Sequence, residues 1–317
     1  MTFAFVFPGQ GSQSVGMMQA WSARAEVRQT FTEASDALGM DLWKLVSDGP
    51  VELLNQTTQT QPAMLAADVA LWRVWRAAGG AAPVMLAGHS LGEYAALVTT
   101  EALDFADAIR LVRFRAEAMQ AAVSEGVGAM AAILGLDNIS VSEVCAEAAQ
   151  GEVVEAVNLN SPGQIVIAGH KNAVERAMGL AKEKGAKRAL ALPVSVPSHS
   201  SLMRPAAEKL LAYLQSVTLR APTITVLHNT DVRSHADAAP IRQALALQLH
   251  TPVRWSETIQ ALKHAGVERV IECGPGRVLS GLTPRIDASL AAMALSDEAA
   301  LQLALAAAQN PQTERAQ

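Results

Sequence analysis

The chain has 317 residues, 50% of them hydrophobic and 17% charged, enough for a large core or for one core with an inserted subdomain. Its formal net charge of -5 gives no electrostatic support to a nucleic-acid or anionic-membrane role. Two distant cysteines, Cys145 and Cys273, have no metal or redox spacing, and no apolar run is long enough to span a bilayer.

The first segment, MTFAFVFPGQG, lacks a basic region and turns at Pro8-Gly9, so it does not read as a signal peptide; a cytoplasmic globular protein is expected. Phe3–Phe7 reads as a short buried strand ended by Pro8-Gly9-Gln10-Gly11. Helical patterning follows over 28–38 and 63–77. Residues 84–87 read as another buried strand, with a helix from about Leu91. Short apolar runs alternating with longer amphipathic ones predict a parallel α/β sheet.

The texture changes near 124–128. Residues 128–135 read as a strand and 140–149 as a helix, where Ser140 and Glu143 match a capping box. Residues 153–158 and 164–169 read as a hairpin around Asn160-Ser161-Pro162-Gly163. A helix over 172–184 and a strand over 187–196 complete a β-α-β-β-α-β order, the signature of a ferredoxin-like unit. This predicts an insert at 124–195 within a larger α/β domain formed by 1–123 and 196–317. Beyond it, 201–214 reads as a helix, 224–228 and Arg269–Glu272 as strands, and Gly274-Pro275-Gly276 as a tight turn. The tail 309–317 is polar and expected to fray.

Gly88-His89-Ser90-Leu91-Gly92 fits the nucleophile-elbow pattern. A serine at a sharp strand-to-helix turn needs small neighbours two residues away. The helix beginning at Leu91 offers free N–H groups to an oxyanion. The alternative is a tight βα turn with a serine N-cap. Of seven histidines, His199 is the best base: Val194-Ser195-Val196-Pro197-Ser198-His199 reads as a strand end, and the dipole of the following helix favours neutral imidazole. The alternative is a capping or loop histidine. His89 should point elsewhere, and His228, His235, His250 and His264 read as surface or packing residues.

On a helix over 104–122, Phe105, Ala108, Ile109, Leu111, Val112, Ala116 and Met119 share one face, and Arg115 falls inside that arc. Arg113 and Glu117 lie opposite as an i,i+4 pair. A guanidinium on the apolar face is costly unless it is paired or snorkels. Its fork suits a carboxylate, either the substrate's or a protein acid's. Gln10, between two glycines, can present its N–H or its amide to an oxyanion; the alternative is an ordinary βα turn. The G-x-G-x-x-G spacing is absent.

Taken with Gln59-Thr60-Gln61-Pro62, Gly88–Tyr94, Asn160–Gln164 and Glu272–Gly276, these segments resemble the malonyl-CoA:acyl carrier protein transacylases of bacterial fatty acid synthesis. The resemblance covers roughly residues 1–300. It implies an α/β-hydrolase-like core with a ferredoxin-like insert. It also implies a Ser90–His199 dyad, with the Gln248 carbonyl orienting the histidine and the N–H groups of Gln10 and Leu91 forming the oxyanion hole. Arg115 would hold the malonyl carboxylate, and Gln61, Ser198 and Asn160 would line the pocket. The small Ser198 leaves room for a branched acyl group. His250-Thr251 and Cys273 depart from the family pattern.

The implied reaction is ping-pong transfer of malonyl from malonyl-CoA to acyl carrier protein through a malonyl-serine, by a monomer with no metal and no cofactor. Three rivals stand beside it. A serine hydrolase would share the elbow and take Asp237 and His264 as partners. An acyltransferase of polyketide assembly or malonate decarboxylase would share the dyad. A non-enzymatic carrier-protein docking module would need neither Ser90 nor a base.

Overall fold

The computed structural model describes residues 2–194 and 196–309. Its strands are β1 (Phe3–Phe7), β2 (Met85–Gly88), β3 (Gly128–Leu134), β4 (Val154–Ser161), β5 (Gln164–His170), β6 (Arg188–Ala191), β7 (Thr225–Leu227), β8 (Arg269–Glu272) and β9 (Ala291–Ala294). The helices before the second sheet are α1 (Ala25–Leu38), α2 (Leu42–Asp48), α3 (Val51–Leu54), α4 (Thr57–Ala77), α5 (Gly92–Thr99) and α6 (Phe105–Ala122). Within and after it come α7 (Asn138–Ala149), α8 (Lys171–Glu183), α9 (Arg204–Leu214), α10 (Ala238–Leu247), α11 (Trp255–His264), α12 (Val278–Ile286) and α13 (Glu298–Gln309).

One sheet is parallel throughout, in the order β7-β2-β1-β8-β9. Alternation along Phe-Ala-Phe-Val-Phe gives the central strand two unlike faces. Phe3, Phe5 and Phe7 enter one core, where Phe5 meets Trp72 and Trp75 of α4 at ring distances of 5.7 and 5.0 Å. Ala4 and Val6 enter the other, against Trp255 and Ile259 of α11 and Leu279 of α12. Burial on both faces explains why β1 is apolar without interruption.

The second sheet is antiparallel, in the order β4-β5-β3-β6, with α7 and α8 as its crossovers. The architecture is therefore α/β, a hydrolase-like parallel core joined to a ferredoxin-like subdomain. Ile133, Ile165 and Ile167 bury one face against Val141, Val144 and Val174 of the two helices. The opposite face clusters Met130, Val157 and Val166 with Leu192 and Val194. A backbone bridge ties this subdomain to the core: Leu159 N–H donates to the Val253 carbonyl (2.9 Å), and Val253 N–H to the Val157 carbonyl (2.8 Å).

Several elements differ from the sequence expectation. The helix expected over 63–77 begins at Thr57, with Pro62 inside it. Pro62 has no N–H for the Thr58 carbonyl, and the Arg113 guanidinium donates to that carbonyl instead, at 3.2 Å. Helix α7 is capped by Asp137, which accepts from Ser140 N–H, so Ser140 is inside the helix rather than at its cap. The strand expected over 187–196 ends at Ala191, just before Pro193, which cannot donate to a ladder. Ser195, and the tail from 310 onward, lie outside the described residues. The expected helix at 201 opens as a 3-10 turn, Ser201–Met203, before α9.

Candidate active site

The elbow sits where β2 meets α5. Ser90 has φ 52°, a left-handed backbone that costs a non-glycine residue roughly 1–3 kcal/mol. A Cβ on Gly88 would lie 1.9 Å from the Gly92 carbonyl carbon, and one on Gly92 would lie 2.1 Å from the Phe7 carbonyl oxygen. The flanking glycines are therefore required by close backbone approach. His199 also has a positive φ, 66°, and its N–H is held by the Leu249 carbonyl at 2.9 Å. It comes from a loop after the subdomain rather than from a strand end, because β6 stops at Ala191.

Ser90 Oγ lies 2.7 Å from His199 Nε2, and His199 Nδ1 lies 2.6 Å from the Gln248 carbonyl oxygen. A carbonyl only accepts, so Nδ1 carries the proton and Nε2 is left to accept from the serine hydroxyl. Burial, aided by the nearby Arg115 charge, pushes the His199 imidazole down to about 3. The ring is thus neutral at physiological pH, as a general base must be.

Arg115 is 1% exposed and lies on the apolar face of α6 that periodicity predicts. Its Nη1 donates to Gln61 Oε1 (2.8 Å), and its Nη2 to Gln248 Oε1 (2.8 Å) and Ser90 Oγ (3.3 Å). Of the two carboxylate sources open to it, a protein acid does not appear: among the described residues Arg115 forms no ion pair, and its Nε has no hydrogen-bond partner. Burial lowers the guanidinium from its ordinary value. A desolvated cation held only by neutral acceptors, beside a serine, is a receptor for an anionic group.

These groups open on a cavity of about 310 Å³ lined by Gln10, Gln61, Ser90, Leu91, Arg115, Ser198 and His199. The helix-free face of the antiparallel sheet supplies Met130 and Val166 to its wall, joined by Leu192, Pro193 and Val194. The Gln10 side chain turns to Thr57 Oγ1 at 3.3 Å. Among the described residues, the backbone N–H groups of Gln10 and Leu91 have no protein acceptor. Asn160, expected in the pocket, is not on the cavity wall. Its Oδ1 meets His89 Nε2 at 2.8 Å, while Asn158 lines the cavity. Irregular pairing of β4, with register shifts at 156/158 and 159/161, offsets which residues face inward.

Three polar residues behind the elbow escape sequence reading. Glu93 and His228 form a fully buried pair, Oε1 to Nδ1 2.6 Å, so of the two expectations for His228, surface or packing, the surface one fails. Burial opposes the charged imidazolium, the Glu93 carboxylate outweighs it, and the His228 value ends above ordinary. Asn229 follows at the end of β7, the neighbour of β2 in the sheet. Position at the carboxyl end of a parallel strand is the one signal that points to it. Asp237 and His264, the hydrolase partners considered above, are exposed and do not line the cavity.

Residues 4–282 match the acyl transferase domain family. The chain is 58% identical over 304 residues to the malonyl CoA-acyl carrier protein transacylase of Salmonella typhimurium, covering 96% of this chain and 98% of that one. It is 43% identical over 304 residues to the protein of that name from Bacillus subtilis, covering 95% and 96%. An acyl-carrier-protein S-malonyltransferase structure from Burkholderia pseudomallei superposes with TM-score 0.95 at 58% identity, covering 96% of this chain and all of the other. A malonyl-transacylase solved in complex with its type II PKS acyl-carrier protein superposes with TM-score 0.96 at 56% identity, covering 97% and 100%. The chain belongs to the acyl transferase domain family, and within it to the malonyl CoA-acyl carrier protein transacylases.

Proposed function

We propose that the protein transfers malonyl from malonyl-CoA to the phosphopantetheine thiol of acyl carrier protein, through a malonyl ester on Ser90. The observation that carries this is Arg115, a buried cation without a protein carboxylate, 3.3 Å from the Ser90 hydroxyl.

His199 Nε2 takes the Ser90 proton as Oγ attacks the thioester carbonyl. The N–H groups of Gln10 and Leu91 receive the oxyanion. The C–S bond breaks, the coenzyme A thiolate takes the proton back from His199, and malonyl-Ser90 remains. The carrier thiol then gives its proton to His199 and attacks the ester, so the same steps run in reverse. The substrate carboxylate lies on Arg115 throughout. It thereby offsets the Arg115 charge that disfavours imidazolium at His199. The apolar wall from the 124–195 subdomain shields the ester from water.

Protons and electrons balance with the dyad alone, so we assign no metal or redox cofactor. The site is complete within one chain, which supports a monomer, and two buried cysteines without a disulfide fit the reducing cytoplasm.

The test is an intact mass after mixing with malonyl-CoA or acetyl-CoA and no acceptor. A malonyl adduct on Ser90, discharged only by carrier protein, is expected. Steady coenzyme A release without acceptor would instead indicate a thioesterase. No adduct with either donor would remove Ser90 as nucleophile.

A further inference from the structure

The Asn229 amide reaches the elbow from both sides. Its Oδ1 accepts from Ser90 N–H at 2.7 Å, and its Nδ2 donates to the Gly88 carbonyl at 2.6 Å. The orientation of the amide is fixed by its partners: an N–H demands the oxygen and a carbonyl demands the NH2 group. The backbone is anchored as well, because Asn229 N–H donates to Glu93 Oε2 at 3.0 Å. Glu93 Oε2 also accepts from Gln248 Nε2 at 2.8 Å, and that amide reaches the Ser90 carbonyl at 3.0 Å. Asn229 and Glu93 are fully buried, so these bonds are shielded from water.

We infer that Asn229 is a positioning residue for the nucleophile: its amide bridges Gly88 and Ser90 and holds the serine in its left-handed backbone. Two consequences follow. The Ser90 hydroxyl is kept 2.7 Å from His199 although the backbone conformation is unfavourable. The Ser90 N–H is also occupied, which restricts oxyanion stabilisation to Gln10 and Leu91.

This rests on the transfer reading above, and the experiment separates the two. The acylation burst is followed under single-turnover conditions with malonyl-CoA and with acetyl-CoA, in wild type, Asn229→Asp and Asn229→Ala. Asn229→Asp keeps the shape and turns a donor into an acceptor facing the Gly88 carbonyl. Asn229→Ala deletes both bonds without adding charge. In both variants the acylation rate constant is expected to fall roughly tenfold or more, the cost of unsatisfied buried partners. The burst amplitude, the malonyl-CoA KM and the malonyl-to-acetyl ratio are expected to stay within about twofold of wild type. A lower amplitude with an unchanged rate constant would make Asn229 merely structural and overturn the inference. So would an unchanged rate constant at full amplitude, or a loss confined to malonyl-CoA, which would move its effect to Arg115. If wild type gives no malonyl burst, the transfer reading itself fails.

Discussion

Replacing Arg115 by alanine should have opposite effects on the two donors. With malonyl-CoA the variant loses a charge-assisted contact to the carboxylate, worth about 1.5–3 kcal/mol, so acylation efficiency should fall roughly ten- to a hundredfold. With acetyl-CoA no substrate carboxylate offsets the guanidinium while His199 takes the serine proton. Hydrogen-bond distances of 3.3 Å to Ser90 Oγ and 2.7 Å onward to His199 Nε2 put the two charges within about 6 Å. At that limiting separation and an effective dielectric near 20 their repulsion is roughly 3 kcal/mol, part of which its removal returns to the acetyl reaction. Arg115→Ala should therefore acetylate Ser90 faster than wild type while malonylating it more slowly. Competition between the two donors, read by intact mass, measures both. Slower acetylation, or unchanged malonyl preference, would refute the charge argument.

Three further outcomes follow from the same geometry. Because His199 sits near 3 in the fold, the acid limb of kcat/KM should lie well below 6.5 and move up in Arg115→Ala; a wild-type limb at 6.5 would contradict this. The unfolded chain gains a proton at His199 below about 6.5 and the native state does not, so this group makes stability fall as pH drops from there towards 3, which acid titration of thermal melts would register. Gly88→Ala would force a Cβ to within 1.9 Å of backbone and should destabilise the fold by at least the ~1–3 kcal/mol of overpacking, which lowers the melting temperature; a wild-type melt would contradict the elbow geometry.

The sequence by itself determined the local events. The Gly-x-Ser-x-Gly spacing predicts the elbow because close approach at Gly88 and Gly92 excludes any side chain. The 3.6-residue period places Arg115 on the apolar face of its helix, and the β-α-β-β-α-β order predicts the second sheet. Helices α10 and α13 are not singled out by the sequence patterning.

Tertiary structure alone decided what meets what. Periodicity could not say whether Arg115 finds a protein acid; the fold surrounds it with Gln61 and Gln248, amides distant in sequence. Nor could it place Asn229 at the elbow, since that contact arises from the pairing of β7 with β2. Asn158 replaces Asn160 on the cavity wall through shifts in strand register that leave no mark in composition. A spacing rule reads the chain's own backbone; a site built between strands depends on sheet order and register, which are set by the packing of the whole core.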